Sequence, residues 1–145
     1  MQPDNHILWK ERDLATAKIP PEAKLFLMTE GLPEWIPYEI EFGLFDSDGE
    51  DLVIGVHTEC PILIDALGQV KVETSGGPRL FNSSVAQLGD CIRAYLDLRS
   101  ADAEENFNGP EELRHRLSAI DAHCWQPNSI WHDILQEIEK DQALL

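Results

Sequence analysis

The chain has 145 residues, 43% of them hydrophobic, and its 27 acidic residues against 11 Lys and Arg give a formal net charge of −16. This length and apolar content are enough for one globular domain over residues 1–145. The charge argues against nucleic-acid and membrane partners, since phosphates need cationic side chains. It would attract basic protein partners, but on charge alone solubility is the favoured explanation.

The cysteines and the apolar segments indicate the compartment. Cys60, Cys91 and Cys124 are an odd number with no CxxC pair, which argues against a disulfide framework and suits a reducing cytosol. The start, "MQPDNHILWKERD", has no apolar run of signal-peptide length, and no stretch approaches the ~18 apolar residues of a membrane span. We expect a cytoplasmic protein.

The first elements in chain order are a weakly patterned segment and a short helix. Residues 1–18 have no clear period and are expected to be partly loose, with Ile7, Leu8, Trp9 and Leu14 able to pack. The helix of "IPPEAKLFLMTEGLP" begins at Pro20 and Pro21, where a missing N–H is tolerated. Gly31 suits the left-handed residue after its last turn.

A β-rich half follows. Tyr38-Glu39-Ile40-Glu41-Phe42 alternates, which predicts a strand with one buried and one acidic face. Residues 52–56, 61–65, 69–74 and 80–81 are further strands, and the short turns between them predict antiparallel or mixed hairpins.

The last part is helical. A helix follows Ser84 with an apolar stripe through Val85, Leu88, Ile92 and Tyr95; another opens at Pro110, and the last carries Ile130 to Ile138. Segregated runs of strands and helices predict an α+β fold. We expect a central, mostly antiparallel sheet of about five or six strands, with helices on the N-terminal side and three C-terminal helical segments around it.

The junction "RLFNSSVAQL" raises the question of a catalytic serine. A nucleophile elbow needs the pattern G-x-S-x-G, which Ser83 and Ser84 lack. Ser84 to Gln87 instead matches the S-x-x-Q capping box, in which Ser84 accepts from the Gln87 N–H and Gln87 returns a bond to the Ser84 N–H. We therefore predict a structural cap and no catalytic residue.

The sequence motifs for metal-binding and phosphate-binding sites are also incomplete. Asp46, Asp48 and Glu50 alternate like the start of a calcium loop, but Asp51 and His57 stand where an EF-hand needs Gly and Glu. A turn is favoured, with weak adventitious calcium binding left open. His115, His123, Cys124 and His132 lack zinc-site spacing. "SGGP" joins two strands, so it lacks the helix of a phosphate loop. We expect no metal and no cofactor.

The acids are unevenly distributed. No Lys or Arg occurs between Lys24 and Lys71, whereas ten acidic residues do. These carboxylates must stay solvated, find cations elsewhere in the fold or meet a basic partner. The candidate partner contacts are Glu39, Glu41, Asp46, Asp48, Glu50 and Asp51, with Trp35 and Tyr38 as aromatic anchors. For Trp35, packing in the core is the favoured alternative.

Four stretches in this order carry a family resemblance: "IPPEAKLFLMTEGLPEW", the apolar middle with "LVIG" and "PILID", "FNSSVAQLGDCIRAYLDL", and "SIWHDILQEIE". Together they resemble the SUKH superfamily of bacterial immunity proteins, most of all its fourth branch, over about residues 19–142. The resemblance implies one α+β domain without catalytic residues, and structural roles for Gly31, Leu32, Pro33, Asn82, Ser83 and Ser84. The acidic turn 46–51 and the loop 101–109 have no clear counterpart there, so partner specificity is expected in them.

The resemblance also implies a function. Bacterial members typically bind and neutralise a cognate polymorphic toxin domain, often a nuclease or a nucleic-acid deaminase, while other relatives are regulatory or scaffolding modules. We therefore expect an immunity protein, with a regulatory or scaffolding protein as the alternative. A third hypothesis, an enzyme of unrecognised type, would need a pocket with two shifted carboxylates or a His–carboxylate pair.

Overall fold

The structure, a computed structural model, describes residues 6–36, 40–43, 51–101 and 109–143. In chain order its elements are β1 (His6–Ile7), α1 (Glu11–Leu14), α2 (Pro21–Thr29), β2 (Leu32–Pro33), β3 (Trp35–Ile36), β4 (Ile40–Phe42), β5 (Leu52–His57), β6 (Cys60–Ile64), β7 (Val70–Thr74), β8 (Gly77–Asn82), α3 (Val85–Ala101), α4 (Gly109–Ile120), a 3₁₀ turn (Ala122–Cys124) and α5 (Ile130–Ala143). The α+β prediction is confirmed, with three of the helices C-terminal to the sheet.

The central sheet is a six-stranded meander in the order β3-β4-β5-β6-β7-β8, and every neighbouring pair is antiparallel. This follows from the sequence, because connections of two to five residues between β5, β6, β7 and β8 allow only hairpins. A separate two-stranded sheet pairs β1 with β2. Tyr38 and Glu39, the predicted start of β4, lie outside the described residues.

Two β-bulges turn extra residues towards the core. The β5–β6 register shifts between Val53 and Gly55, and the β7–β8 register shifts where Val70 pairs with Asn82 but Lys71 pairs with Leu80. The additional residues, Ile54 and Phe81, are both fully buried. A bulge places two residues of one strand opposite one of its partner, which increases the local bend and twist. The bulges thus give two of the hairpins extra core side chains.

The core lies between one face of the sheet, here called the inner face, and the helices. Its sheet residues include Phe42, Ile62, Ile64, Val70 and Val72, and its helical residues are chiefly Leu88, Ile92, Tyr95, Leu117, Trp131 and Leu135. Arg79 also points inward: its guanidinium donates to the Asn128 and Ser129 carbonyls and pairs with Asp133 at 2.7 Å. These contacts fasten β8 to the start of α5.

The N-terminal segment packs against α2. The Trp9 N–H donates to the Leu27 carbonyl at 2.9 Å, and Trp9 and Leu14 are buried as the sequence allows. Leu8 is instead 50% exposed. Gly31 has φ +68 after α2, as predicted, and a Cβ there would collide with the Ile7 carbonyl of β1. Residues 6–18 therefore belong to the domain.

A buried carboxylate joins β8 to the C-terminal helices. Asp121 is 2% exposed and accepts four hydrogen bonds, from Asn82 Nδ2, the Ser83 N–H, Ser83 Oγ and the His123 N–H. Asn82 Oδ1 in turn accepts from Trp131 Nε1 at 2.8 Å. The network thus satisfies the polar groups that the junction between strand and helix would otherwise bury unpaired.

The three cysteines are free thiols. Cys91 and Cys124 are fully buried beside the Asp121 network, and Asn82 Nδ2 lies 3.4 Å from Cys91 Sγ. A hydrogen bond with Cys124 and burial raise the pKa of the Cys91 thiol. The thiol therefore stays protonated and behaves as a small core side chain.

The cap at the start of α3 is present in a modified form. The Gln87 N–H donates to Ser84 Oγ at 3.2 Å, as predicted. The Gln87 side chain takes other partners than the predicted Ser84 N–H: Oε1 accepts from Ser84 Oγ at 2.9 Å, and Nε2 donates to the Ile120 carbonyl at 3.1 Å. Because α4 ends at Ile120, this side chain links the start of α3 to the end of α4.

None of the described helices combines the length and the apolar character needed to cross a membrane.

Replacing Asp121 is expected to be one of the most damaging changes in the chain. Asp121→Ala removes the acceptor of the buried Asn82 amide and of two half-buried Ser83 donors, and it should lower the free energy of unfolding by roughly 2–4 kcal/mol, measured in urea. The control is Asp90→Ala, which removes an exposed carboxylate paired with Arg93 on the same helix and should cost at most about 1 kcal/mol. Equal losses in the two variants would contradict the role given to Asp121.

Removing the α3 cap should have a smaller effect. Ser84→Ala is expected to lower the free energy of unfolding by about 1 kcal/mol, while Ser84→Asp, which keeps an acceptor, should retain most of the stability. Ser118→Ala, inside α4, is the matched control and should not destabilise the protein, because alanine favours helix interiors. A neutral Ser84→Ala would show that the cap contributes little.

Candidate functional site

The side of the sheet opposite the helices, here called the outer face, carries the candidate site. Strand pairing sets Trp35 opposite Glu41, Glu41 opposite Val56, Val56 opposite Pro61 and Glu73 opposite Pro78. The pairing of Ile62 with Val72 places Pro61 opposite Glu73. One row of side chains therefore crosses all six strands in the order Trp35, Glu41, Val56, Pro61, Glu73 and Pro78.

This row is accessible. Five of its six residues are exposed and Val56 is half-buried, whereas Ile62 and Val72, which point to the inner face, are fully buried. A second row on the outer face, Val53, Leu63, Lys71 and Leu80, is half-buried or buried. The outer face therefore offers an accessible surface with apolar side chains between carboxylates, a composition that suits contact with another protein.

Trp35 and Glu41 are direct neighbours on this face. The Phe42 N–H donates to the Glu34 carbonyl at 3.0 Å, so Glu34 and Phe42 form a hydrogen-bonded pair. The next pair of an antiparallel ladder, Trp35 with Glu41, is then a non-hydrogen-bonded pair, in which the side chains stand closer together. An indole and a carboxylate thus lie side by side at the edge of the sheet.

The charge of the outer face is negative. Glu41 and Glu73 are exposed in the first row, and Glu34 and Glu59 are exposed in the adjoining loop and turn. The outer rows contain one cation, Lys71, and its ammonium pairs with Asp65 at 3.0 Å. Among the described residues, Glu41 and Glu73 have no ion-pair partner. The electric field of these two carboxylates can therefore attract a basic partner.

The structure separates the predicted contact residues. It brings Trp35 and Glu41 together, but the favoured expectation of core packing for Trp35 is wrong, because Trp35 is 56% exposed. The reason is the register: Ile36, fully buried, occupies the inward position of β3 and leaves Trp35 outward.

The other predicted contacts are not beside this pair. Asp51 is half-buried just before β5, five residues along the strand from Val56, a span of roughly 17 Å for an extended strand. Tyr38, Glu39, Asp46, Asp48 and Glu50 lie outside the described residues, as does most of the loop 101–109. Val56, Pro61, Glu73 and Pro78 were missed, because only the register across several strands shows that they share a row with Trp35.

Thr58 and Glu59 form the turn between β5 and β6 next to this row. Both have left-handed backbones, with φ 49 and 69, which is the conformation of a type I′ hairpin turn. Such turns favour Asn-Gly, and a left-handed backbone costs roughly 1–2 kcal/mol for other residues. The chain therefore holds an exposed carboxylate at a strained position beside the outer face.

Among the described residues, the serine junction and the late histidines show no Ser–His–Asp arrangement. Ser83 Oγ donates to Asp121 at 2.8 Å, and the hydrogen bond between His123 and the same carboxylate comes from the His123 backbone N–H. The His132 ring packs against Trp125 at a tilt, with ring centroids 5.0 Å apart. In the part of the chain that the structure describes, no group of three or more His, Cys, Asp or Glu side chains could hold a metal ion.

A cleft of about 470 Å³ lies on the helical side, between the end of α2, β2 and α3. Its walls mix Phe26, Ile92 and Leu96 with charged residues of both signs, including Glu30 and Arg93. The Arg93 guanidinium already pairs with Asp90 at 3.2 Å. This cleft has room for a small ligand but no convergent set of polar groups that indicates one.

The strain in the β5–β6 turn can be measured. The double change Thr58→Asn and Glu59→Gly should raise the free energy of unfolding by roughly 1–2 kcal/mol, because both residues tolerate the left-handed conformation better. Glu59→Gln is the control for charge, and it should leave the stability nearly unchanged. Urea unfolding of the three proteins provides the measurement, and no gain in the double variant would contradict the left-handed turn.

Comparison with models of protein families, with curated proteins and with solved structures gives no match to this chain. The outer face is therefore defined by its own geometry: an exposed tryptophan, carboxylates that pair with no cation among the described residues, and a row of side chains across six strands. Together these features identify the strongest candidate surface of this α+β domain for binding another protein.

Proposed function

We propose that this protein is an immunity protein that binds a basic cognate toxin domain, a nuclease or a nucleic-acid deaminase, in the bacterial cytoplasm. The outer face of the sheet would be the binding surface. The observation that supports this proposal most is the pairing of the exposed Trp35 with Glu41, which has no ion-pair partner among the described residues. Both lie in a segment that has no Lys or Arg from residue 25 to residue 70. The SUKH-like order of sequence motifs supports the same proposal.

The chemistry of the toxin explains why an acidic surface would neutralise it. An enzyme that acts on nucleic acid holds phosphates with Lys and Arg, so its active-site surface is positively charged. An acidic protein that covers this surface competes with the substrate and is steered to it by long-range attraction, which raises the association rate. Inhibition by occlusion requires no catalytic group from the immunity protein.

The composition of the outer face fits such a role. Tryptophan is among the residues that most often dominate the energy of protein interfaces, while surrounding carboxylates provide specificity and steering. The inner face is fixed by the core and by the Asp121 network, so contacts on the outer face need not disturb the fold. A regulatory or scaffolding role with an endogenous basic partner would use the same surface.

The test is binding to the protein encoded by the adjacent gene. The double change Glu41→Lys and Glu73→Lys should lower the affinity by about 10-fold or more at low salt, mainly by slowing association, and should reduce the salt dependence. Glu137→Lys on α5, also an exposed acid, is the matched control and should have little effect. Surface plasmon resonance over a range of salt concentrations measures both quantities.

Three results would decide between the alternatives. Tight binding together with inhibition of the neighbour's nuclease or deaminase activity supports the immunity role. Failure of the adjacent protein to bind would contradict that role and favour the regulatory one. Binding that is equally sensitive to Glu137→Lys and to the outer-face changes would show that another surface makes the contact.

A further inference from the structure

We infer that Trp35 and Glu41 together form a receptor for one arginine side chain of the basic partner. The guanidinium would lie flat on the exposed indole and form paired hydrogen bonds with the carboxylate. This inference rests on the proposed function for the surface and deepens it, because it names the chemical group that the surface recognises.

The backbone holds the two side chains in the required arrangement. In a non-hydrogen-bonded antiparallel pair the Cβ atoms are about 4.5–5.5 Å apart, and both side chains stand on the same face of the sheet. Ile36, fully buried, anchors β3 and keeps Trp35 pointing outward. An indole and a carboxylate at this separation leave space for a planar group that contacts both.

The position of β3 leaves one side of the indole open. β3 is the first strand in the order of the sheet, so within the described residues it pairs only with β4. Trp35 is 56% exposed, the most exposed of the tryptophans that the structure describes. A partner can therefore approach the indole from above the sheet and from its edge.

Both groups are available for a cation. Among the described residues Glu41 has no ion-pair partner, and the Lys and Arg residues that flank it in the sequence are Lys24 and Lys71. Lys71 is already paired with Asp65. The exposed Glu34, next to Trp35 in the chain, adds to the negative potential, which favours a cation and opposes an acidic or neutral occupant.

The arrangement selects arginine over lysine. A guanidinium is planar, is weakly hydrated and presents parallel N–H donors that match a carboxylate, so it can stack on an indole and pair at the same time. An ammonium is compact and strongly hydrated, and it satisfies a carboxylate without needing a flat aromatic neighbour. The expected signature is a preference for arginine at equal charge.

The test uses two synthetic peptides of Gly and Ser that differ only in carrying three arginines or three lysines. Titration into isotopically labelled protein, followed by nuclear magnetic resonance, should shift the Trp35 indole N–H with the arginine peptide. The arginine peptide should bind about 2- to 5-fold more tightly than the lysine peptide, as a cation–π contact at an exposed site allows. Trp35→Ala should abolish the difference, Trp35→Phe should keep part of it, and Glu41→Gln should weaken binding of both peptides.

Glu73→Gln is the matched control, since it removes a carboxylate from the same row but away from the indole, and it should preserve the preference for arginine. Equal affinities for the two peptides, or a preference that survives Trp35→Ala, would overturn the inference.

The proposed function is tested separately: it stands if charge reversal still weakens binding of the adjacent protein, and it fails if that protein does not bind although the arginine peptide does. Unchanged urea unfolding of the Trp35 variants would show that binding differences do not come from loss of the fold.

Discussion

The buried carboxylate of Asp121 is the interaction on which the arrangement of the molecule depends. A carboxylate at 2% exposure is tolerated because four donors surround it, and these donors belong to the end of β8, the following junction and the 3₁₀ turn. Through Asn82 the network reaches the indole of Trp131 in α5. Packing alone would allow the helices to slide on the sheet, whereas these directional bonds fix their positions.

Fixing the helices on the inner face determines where binding can occur. Strands β5 to β8 contribute alternate side chains to the core, so their remaining side chains are left on the outer face. Stability and recognition are thereby assigned to opposite sides of one sheet. Changes on the outer face can alter a partner's affinity with little effect on the core.

The outer face also shows how electrostatics and strand pairing act together. The absence of Lys and Arg between Lys24 and Lys71 leaves the carboxylates without neutralising neighbours in sequence. In the described part of the outer rows the one Lys or Arg is Lys71, which pairs with Asp65. The β3–β4 register then sets an indole beside one of these carboxylates. A strained turn at Thr58 and Glu59 holds one more acid next to the row. Acidity provides attraction at a distance, while the indole and carboxylate provide selectivity at contact.

Elements with local signals could be predicted from the sequence. Pro21 and Gly31 mark the ends of α2, the short turns of the β-rich half predict antiparallel or mixed hairpins, and the Ser84 cap marks the start of α3. Periodicity assigns residues to a face of one strand or helix, but it does not give the register between strands. β3 has two residues and therefore no period from which the exposure of Trp35 could be read.

The row across six strands, the two bulges and the burial of Asp121 arise from tertiary contacts. Each depends on residues far apart in the chain: Asp121 meets Ser83 38 positions away, and Trp131 meets Asn82 49 positions away. In the local sequence, one Asp before a helical turn predicts a solvent-exposed cap, because the residues that donate hydrogen bonds to it lie far away in the chain. Local chemistry fixed which elements form, and long-range pairing decided which side chains are presented to a partner.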